Sequence, residues 1–358
     1  MKLVQVALVG VGPFDKLVLP FADEDGVPRA LTVIHGAGGV GKSSVLAAIS
    51  STRPGHCVVQ LSRGEPPREG ARPAFSACDW ALGQDEPTRP HPLSLVSPNA
   101  RLSANDEAEA LRRREQALFD RLANDGGFAF LAIPGTRWFS RQPIALSAPA
   151  RTIARYDVRA PLSNDDATRA DLARETKQAL AYAAIASALP SLEPATSAGS
   201  EQPERRFDLL AAGMRDVVAS FLNLVGFSYR GLDPHSFEPI FQGHGRDVPF
   251  DALPTRVRHL LAFAALSVRT LWAAYPDQDP RASEGVIAID DVDLHQDAQV
   301  QQALVATFRE ALPEAQWILT TASPVVAGAA DARAVLALRP LPEAEGVRVF
   351  AGDQARTH

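Results

Sequence analysis

Apolar residues in this chain fall into short runs near the N-terminus and into longer, helically spaced segments further on. Short runs rich in Val, Leu and Ile and bounded by Gly, Pro or Asp turns are typical of strands. Three such runs, at 4–9, 17–21 and 31–34, predict an antiparallel pair followed by a buried strand. Two more runs, at 78–82 and 93–96, predict a further strand pair.

The rest of the chain alternates between helical periodicity and buried apolar runs. Apolar positions three and four residues apart predict helices, and continuous short apolar runs predict buried strands. A Ser before two of the periodic segments is a typical helix start. The predicted helices are 103–123, 165–188, 207–225, 253–274 and 298–312, and the predicted strands are 58–61, 128–133, 286–289, 317–320, 335–338 and 347–350, with short strands within 227–241.

Two segments have the composition of connections between such elements. Residues 62–76 are rich in Gly, Pro and Arg, which predicts an exposed loop, and residues 189–204 place prolines among Ser, Thr and Gly, which predicts a flexible linker. No heptad pattern continues over several turns, so we expect no long coiled-coil arm.

A glycine-rich segment between a predicted strand and a predicted helix matches the phosphate-loop pattern G-x-x-x-x-G-K-[ST]. Glycines let the backbone N–H groups approach phosphate oxygens closely, and the following helix directs its positive N-terminus at the anion. Lys42 would then reach the β- and γ-phosphates, and the hydroxyl of Ser43 would bind Mg²⁺. The predicted nucleotide contacts are Gly36, Ala37, Gly38, Gly39, Val40, Gly41, Lys42, Ser43 and Ser44.

An apolar run with two carboxylates at its end supplies the second half of such a site. The run 285–289 leads into Asp290 and Asp291, and we expect its strand to lie beside the strand of the glycine loop. Asp290 would bind Mg²⁺ directly or through water, and Asp291 would polarise the attacking water as a general base.

The alternative for this run is an ordinary buried strand with acidic residues in its exit turn. The glycine loop also has a spacing like that of dinucleotide-binding folds, which Lys42 and the distant acidic pair disfavour.

Composition narrows the class of protein. The 358 residues carry a net charge of -6, which argues against a uniformly basic nucleic-acid binder. The two cysteines form neither a disulfide framework nor a metal-binding spacing and suit a reducing cytoplasm.

No apolar run approaches the roughly 18 residues of a membrane span, so we expect a cytoplasmic protein without membrane contact. The histidines have no zinc-binding spacing.

Two groups of arginines are candidates for nucleic-acid contact. The run 112–114 stands among glutamates in a predicted helix, and we favour a solvated face of mixed charge over a contact with the DNA backbone. Arg137 and Arg141 flank the aromatic pair 138–139, a pattern that can stack on bases. We favour packing at the edge of the core for this second group.

The order of these elements resembles the ABC-type ATPase heads of the RecF, SMC and OLD-like group. The resemblance rests on the paired strands before the glycine loop, the segment 289–297 with its acidic pair, the segment 317–324, which is similar to the group's switch strand, and the segment 250–258, where its signature helix should begin. It implies a P-loop NTPase that uses ATP and Mg²⁺.

The resemblance also implies roles for residues that the motifs alone do not indicate. Gln84 would be the glutamine that senses Mg²⁺ and the γ-phosphate, Asp297 would close the loop after the acidic pair, and Thr255 would offer a hydroxyl to the γ-phosphate held by a partner subunit. The chain therefore would form a head-to-tail homodimer on binding ATP.

Several positions depart from the group's pattern. Ala322 replaces the switch histidine, Asp291 is one methylene shorter than the usual glutamate, and Pro254 and Arg256 stand where the signature has Ser and Gly. Losing one transition-state donor costs about 10²–10³ in rate, so we expect slow hydrolysis.

Together these patterns predict an α/β P-loop NTPase with a mostly parallel core sheet, helices on both of its faces and an N-terminal antiparallel β subdomain. Residues 1–96 and 251–358 would form the two halves of the ATPase domain, and 97–250 a helical-rich insertion.

The expected role is an ATP-gated switch in DNA metabolism or defence against phage, acting with a separate effector or nuclease. An ATP-binding scaffold subunit and a transporter ATPase subunit are the alternatives.

Overall fold

The computed structural model describes residues 1–52, 74–82, 92–97, 106–124, 128–144, 146, 171–188, 201–340 and 346–356. Its strands are β1 (Lys2–Val11), β2 (Phe14–Pro20), β3 (Leu31–His35), β4 (Phe75–Ala81), β5 (Leu93–Val96), β6 (Phe130–Ile133), β7 (Phe227–Leu232), β8 (Pro239–Gly243), β9 (Arg246–Pro249), β10 (Gly285–Ile289), β11 (Ala315–Thr321), β12 (Val335–Pro340) and β13 (Val347–Ala351).

Its helices are α1 (Lys42–Ser51), α2 (Asp106–Asn124), α3 (Ala173–Ala188), α4 (Glu201–Asn223), α5 (Thr255–Ala274), α6 (Ala298–Ala311), α7 (Pro324–Ala329) and α8 (Asp353–Arg356). Short 3₁₀ turns cover Phe250–Ala252, Pro280–Ala282 and Ala332–Ala334. None of the helices in the described ranges combines the length and apolarity that crossing a lipid bilayer requires.

A six-stranded sheet forms the centre of the fold, in the order β13-β12-β3-β11-β10-β6. Strands β12, β3, β11, β10 and β6 run parallel, and β13 pairs antiparallel with β12 at one edge. Every residue of β10 and β11 is buried, as expected for continuous apolar runs covered on both faces. The predicted mostly parallel core sheet is confirmed, and the carboxyl ends of β3, β11 and β10 lie side by side.

Strands from the N-terminal part form a separate antiparallel sheet in the order β2-β1-β4-β5. Both strand pairs that the apolar pattern predicts are present, and β1 joins them by pairing with β2 on one side and β4 on the other. Trp80 of this sheet contacts Phe128 edge-on, with ring centroids 5.4 Å apart. This contact and its neighbours fasten the antiparallel sheet to the edge strand β6.

Two hydrophobic cores lie on opposite faces of the central sheet. One core packs α3 to α6 against side chains such as Val33, Ile287 and Leu319. The other packs α1, α2 and the antiparallel sheet against Ile34 and Ile318. Helix α5 is buried along most of its length because its sequence is apolar on almost every side. Helices on both faces are thus confirmed.

A small antiparallel sheet, β7-β8-β9, precedes the N-terminus of α5. Lys177 of α3 is fully buried beside it, and its Nζ contacts Asp251 Oδ1 at 2.8 Å and Glu238 Oε2 at 3.1 Å. This buried cation joins α3 to the small sheet and to the 3₁₀ turn that leads into α5.

Several predicted boundaries differ from the structure, among them the following three. The helix predicted to begin at 165 begins at Ala173, because Asp171 forms a bridge with Trp138 and caps the helix by accepting the N–H of Ala173 at 3.1 Å. The helix predicted to begin at 207 begins at Glu201, inside the predicted linker 189–204. Strand β4 begins at Phe75, inside the predicted loop 62–76.

Other predictions lie partly or wholly outside the described residues, namely the strand 58–61, the loop segment 62–73 and the linker segment 189–200. The domain division at 96 and 250 remains a prediction. Within the proposed insertion, β6 is part of the central sheet.

Candidate functional site

The glycine loop occupies the connection from β3 to α1 at the carboxyl edge of the central sheet. Gly39 and Gly41 have φ values of 82° and 94°, in the left-handed region that glycine adopts most readily. A Cβ on Gly41 would lie 2.6 Å from Cζ of Phe14, and a Cβ on Gly36 would lie 2.6 Å from the carbonyl oxygen of Leu338. The glycines therefore also let the loop pack tightly against its surroundings.

The part of the loop that would face a ligand is open. Residues 37–39 are exposed, as is Ser43 in the first turn of α1, whereas Val40 is buried beneath them. That first turn contains no acidic side chain. An exposed helix N-terminus without a competing carboxylate favours the binding of an anion.

Lys42 lies over this loop and is only 7% exposed. Its Nζ donates to the carbonyl oxygens of Gly36 at 2.8 Å and Ala37 at 3.0 Å. Within the described ranges the lysine has no salt bridge to a carboxylate. A buried ammonium whose hydrogen bonds go to carbonyls is suited to an anionic ligand as its counter-ion.

The acidic strand does not lie directly beside the loop's strand, so that prediction is wrong. Strand β11 lies between them, paired parallel with β3 on one side and with β10 on the other. The chain passes from β10 through α6 into β11, and this crossover places β11 next to β3. The carboxylates of β10 are therefore one strand further from the loop than expected.

The end of β11 links the two halves of the site. The Thr320 hydroxyl donates to Asp290 Oδ1 at 2.5 Å and accepts the N–H of Asp291 at 2.8 Å. The next residue, Thr321, accepts the N–H of Gly36 at 3.2 Å through its carbonyl oxygen. Strand β11 thus contacts both the first residue of the glycine loop and the acidic pair.

The two carboxylates differ in environment. Asp290 is 4% exposed, whereas Asp291 is half-buried and has a φ of 43°. Burial raises the pKa of Asp291, the negative charges of Asp290 and Asp293 raise it further, and the positive charges of Lys42 and Arg137 oppose the change. The interaction with Lys42 brings the lysine of the loop and the acidic pair into one electrostatic site. A carboxylate with a raised pKa has the greater basicity that a general base needs.

Two residues that the motifs do not indicate lie against the acidic pair. Gly135 follows β6, and a Cβ there would lie 2.9 Å from Asp291 Oδ2 and 3.0 Å from Asp290 Oδ2. Arg137 is 5% exposed and donates to the carbonyl oxygens of both aspartates, at 2.5 Å and 2.7 Å. A turn after a buried strand could be predicted from the sequence, but its position depends on the pairing of β6 with β10.

His35 is a further residue that the motifs missed. It precedes Gly36, and Ala322, which replaces the expected switch histidine, is exposed just beyond β11. Burial lowers the pKa of His35, as do the charges of Arg339 and Lys42, while a hydrogen bond with the backbone of Ala322 opposes them. An imidazole from the loop's own strand therefore lies beside the position of the missing histidine.

The predicted signature region begins α5. Thr255 is exposed at the first turn of the helix, and its hydroxyl oxygen accepts Nη2 of Arg258 at 3.3 Å. Arg256 forms an ion pair with Asp297 at 2.7 Å, and its carbonyl oxygen accepts Nε2 of Gln296 at 3.2 Å. These contacts join the start of α5 to the segment that follows the acidic pair in the same chain.

Gln84 lies outside the described residues. The strand before it, β4, belongs to the antiparallel sheet rather than to the central one. On the helix α2, Arg113 forms an exposed pair with Glu109 at 2.6 Å, as a solvated face of mixed charge would.

The oxygen donors at the sheet edge fit magnesium held together with a nucleotide. Within the described ranges no group of three or more His, Cys, Asp or Glu residues could hold a metal by itself. Mg²⁺ commonly binds through one or two protein oxygens together with substrate phosphates and water. The exposed Ser43 hydroxyl and the Asp290 carboxylate are ligands of that kind.

Comparison with known proteins supports the fold described above. No protein-family model matches the sequence. Among solved structures, the chain is similar to an SMC head bound to the C-winged helix domain of ScpA, with 16% identity, a TM-score of 0.54 and coverage of 98% of each chain.

A second similar structure is an SMC head domain with an extended coiled coil, bound to the C-terminal domain of ScpA derived from Pyrococcus furiosus. The identity is 17%, the TM-score is 0.53, and the match covers 98% of this chain and 96% of that one. At these identities the similarity concerns the fold. The predicted resemblance is confirmed at that level: this chain has the fold of an SMC head domain.

Proposed function

We propose that this protein binds ATP with Mg²⁺ and hydrolyses it slowly, as a switch between an open and a dimeric state. The observation that supports this proposal most directly is that the end of β11 contacts both halves of the site: Thr320 bonds to Asp290 and Asp291, and Thr321 bonds to Gly36 of the glycine loop that Lys42 covers. The SMC-head fold supports the same assignment.

Each part of the site has a role in this proposal. Residues 36–44 bind the phosphates, with Lys42 exchanging the carbonyl oxygens of Gly36 and Ala37 for phosphate oxygens. Ser43 and Asp290 hold the metal, which when bound neutralises charge on the phosphates. Asp291 accepts a proton from the attacking water, for which its raised pKa suits it. Gln84 keeps its expected role as a further sensor of the metal.

Slow turnover follows from the residues that depart from the group's pattern. Ala322 has no side chain to contact a γ-phosphate, and Asp291 is shorter than a glutamate. A misplacement of about 1 Å at a reacting group can reduce a rate roughly 10²-fold. The exposed Ala322 favours a second candidate, a scaffold subunit that binds ATP with little hydrolysis.

Dimerisation and a partner protein complete the proposal. Thr255 is exposed and has no described contact with the glycine loop of its own chain, so we propose that it acts on the nucleotide of a second copy. The similar SMC heads are each bound to a domain of ScpA, which supports a separate partner protein here. We propose a role in DNA metabolism or defence, with nucleic acid as a candidate activator.

The test compares wild type with Lys42→Ala, using Lys16→Ala as the control because Lys16 is exposed in β2, outside the site. We expect wild type and the control to bind a fluorescent ATP analogue, with turnover below a typical enzyme median of about 10 s⁻¹. Lys42→Ala should lose most of the binding. Equal binding by Lys42→Ala and wild type would refute the proposed site, and binding without phosphate release would favour the scaffold.

Dimerisation and nucleic-acid response are measured on the same preparations. Light scattering with and without ATP should show a shift toward the dimer for wild type and not for Lys42→Ala. Addition of duplex or single-stranded DNA during phosphate release should raise the rate; no response to either would remove nucleic acid from the proposal.

A further inference from the structure

Arg137 is a buried cation whose hydrogen bonds go to backbone oxygens of the acidic segment. Its Nη1 donates to the carbonyl oxygens of Asp290 at 2.5 Å and Pro134 at 3.1 Å, and its Nη2 donates to that of Asp291 at 2.7 Å. The side chain is 5% exposed. One planar guanidinium thus donates hydrogen bonds to two successive carbonyl groups at the end of β10 and to one carbonyl group in the turn after β6.

The surroundings fix the plane of this guanidinium. Its Cζ lies 5.1 Å from the ring centroid of Phe263 on α5, a cation–π contact. Burial lowers the pKa of Arg137 to about 10, against the opposing charges of Asp290, Asp291 and Asp293, so the group stays protonated at neutral pH. A buried charge is unfavourable unless it is paired or hydrogen-bonded. Here Nη1 and Nη2 donate to backbone carbonyl oxygens, whereas Nε has no hydrogen-bond partner among the described residues.

The segment 290–291, to which Arg137 donates, has an uncommon backbone conformation. Asp291 has a φ of 43°, in the left-handed region that few non-glycine residues adopt, Asp and Asn most readily among them. Its N–H is held by the Thr320 hydroxyl at 2.8 Å, and its carbonyl oxygen by Arg137. The direction of the Asp291 side chain is set by this backbone conformation.

From this geometry we propose that Arg137 is a positioning residue for the reaction: by holding both carbonyl oxygens it fixes the direction of the Asp291 carboxylate. The inference rests on the proposed ATPase function. Gly135 is the complementary part of the same turn, because a Cβ there would lie within 3.0 Å of a carboxylate oxygen of each aspartate. The turn 134–137 therefore holds the backbone of the pair and leaves room for its carboxylates.

A purely structural role would be to join β6 to β10, but those strands already pair through their own backbone. The two roles differ in what they predict for turnover. If Arg137 only joined the two strands, its removal would lower both the amount of folded protein and the affinity for nucleotide. Loss of positioning lowers kcat while the glycine loop still binds nucleotide.

The experiment uses Arg137→Met, Arg137→Lys and Gly135→Ala in the full chain, with Arg141→Ala as the control because Arg141 is exposed. Each variant is measured for thermal unfolding, for affinity to a fluorescent ATP analogue in EDTA, and for kcat and KM with Mg²⁺. Gly135→Ala retains Arg137, so it tests displacement of the carboxylates without a lost buried charge.

We expect kcat to fall at least about tenfold in Arg137→Met and Gly135→Ala, with EDTA affinity within about twofold of wild type. Arg137→Lys keeps the positive charge but lacks the planar guanidinium with its paired donors. Its kcat should therefore lie between that of Arg137→Met and that of wild type. Unchanged kcat in folded Arg137→Met and Gly135→Ala, or a fall in kcat matched by a fall in affinity, would overturn the inference. Absence of nucleotide binding by wild type would instead refute the proposed function itself.

Discussion

The Thr320 hydroxyl of β11 donates to Oδ1 of Asp290, which directly follows the neighbouring strand β10, at 2.5 Å. The same oxygen accepts the N–H of Asp291 at 2.8 Å. One buried hydroxyl therefore orients the proposed metal ligand and caps the backbone of the proposed base. The contact of β11 with Gly36 is made by the carbonyl oxygen of Thr321, so a change of the Thr320 hydroxyl should affect the acidic pair and leave the glycine loop in place.

Replacing Thr320 by Val keeps the shape of the side chain and removes the hydroxyl. The buried N–H of Asp291 would lose its partner, and an unmade buried hydrogen bond costs about 1–3 kcal/mol. We expect phosphate release to slow by about tenfold or more, with ATP affinity in EDTA unchanged, because Lys42 and the loop are untouched. A wild-type rate in this variant would show that the hydroxyl does not orient the pair.

Thr32→Val is the matched control for this substitution. Thr32 lies on the neighbouring strand β3 and is fully buried, and its hydroxyl has no hydrogen-bond partner among the residues that the structure describes. Removing an unpaired buried hydroxyl is neutral or stabilising. Thr32→Val should therefore melt at or above the wild-type temperature and retain full turnover.

Replacing Gly41 by Ala should disrupt the glycine loop. Alanine at a φ of 94° is strained, and its Cβ would lie 2.6 Å from the Phe14 ring. The left-handed conformation alone costs roughly 1–2 kcal/mol outside glycine. We expect a loss of at least about tenfold in ATP affinity, measured by titration of a fluorescent analogue. Gly26→Ala is the control: Gly26 also has a positive φ, 82°, and open space at its Cβ position, but it lies in the turn before β3 and outside the glycine loop, so its affinity should stay near that of wild type.

Local patterns were sufficient for most of the elements and for locating the two segments that we propose form the site. The glycine loop is defined by contiguous residues, and the apolar runs of β3, β10 and β11 follow from burial on both faces. The order of strands is not a local property. Nothing in the run 285–289 shows that β11 separates it from β3.

The residues that the motifs missed share this cause. Arg137 follows a predicted strand and stands beside aromatic residues, which indicated packing at the edge of the core. Its contact with the acidic pair exists because β6 lies next to β10, a pairing between distant parts of the chain. The helix boundary at Asp171 was missed for a similar reason, since its bridge with Trp138 is a long-range contact.

Asp297 should contribute to stability mainly as a helix cap. Its Oδ1 accepts the N–H of Val300 at 3.0 Å at the start of α6, whereas its ion pair with Arg256 joins side chains that are 50% and 39% exposed. A lost cap costs about 1 kcal/mol, and an exposed ion pair contributes about 0–1 kcal/mol. Urea unfolding should rank Asp297→Ala as the least stable variant. Asp297→Asn, which can still cap, and Arg256→Ala should lie close to wild type, and an Arg256→Ala loss equal to that of Asp297→Ala would contradict this ranking.

His259 should make the fold sensitive to acid. It is 1% exposed, and burial lowers its pKa from 6.5 to about 3, assisted by Arg137, His295 and Arg258, while the carbonyl oxygen of Leu294 opposes the change. As pH falls below 6.5, the unfolded chain takes up this proton first, so the stability present at neutral pH declines toward pH 3. At about pH 5 the loss of stability from this group is about 2 kcal/mol.

His259→Gln lacks the titrating ring and should lose correspondingly less stability than wild type between about pH 7.5 and pH 5 in urea unfolding. His235→Gln, at an exposed position, should follow the wild-type curve; equal pH dependence in all three proteins would show that His259 is not held neutral by burial.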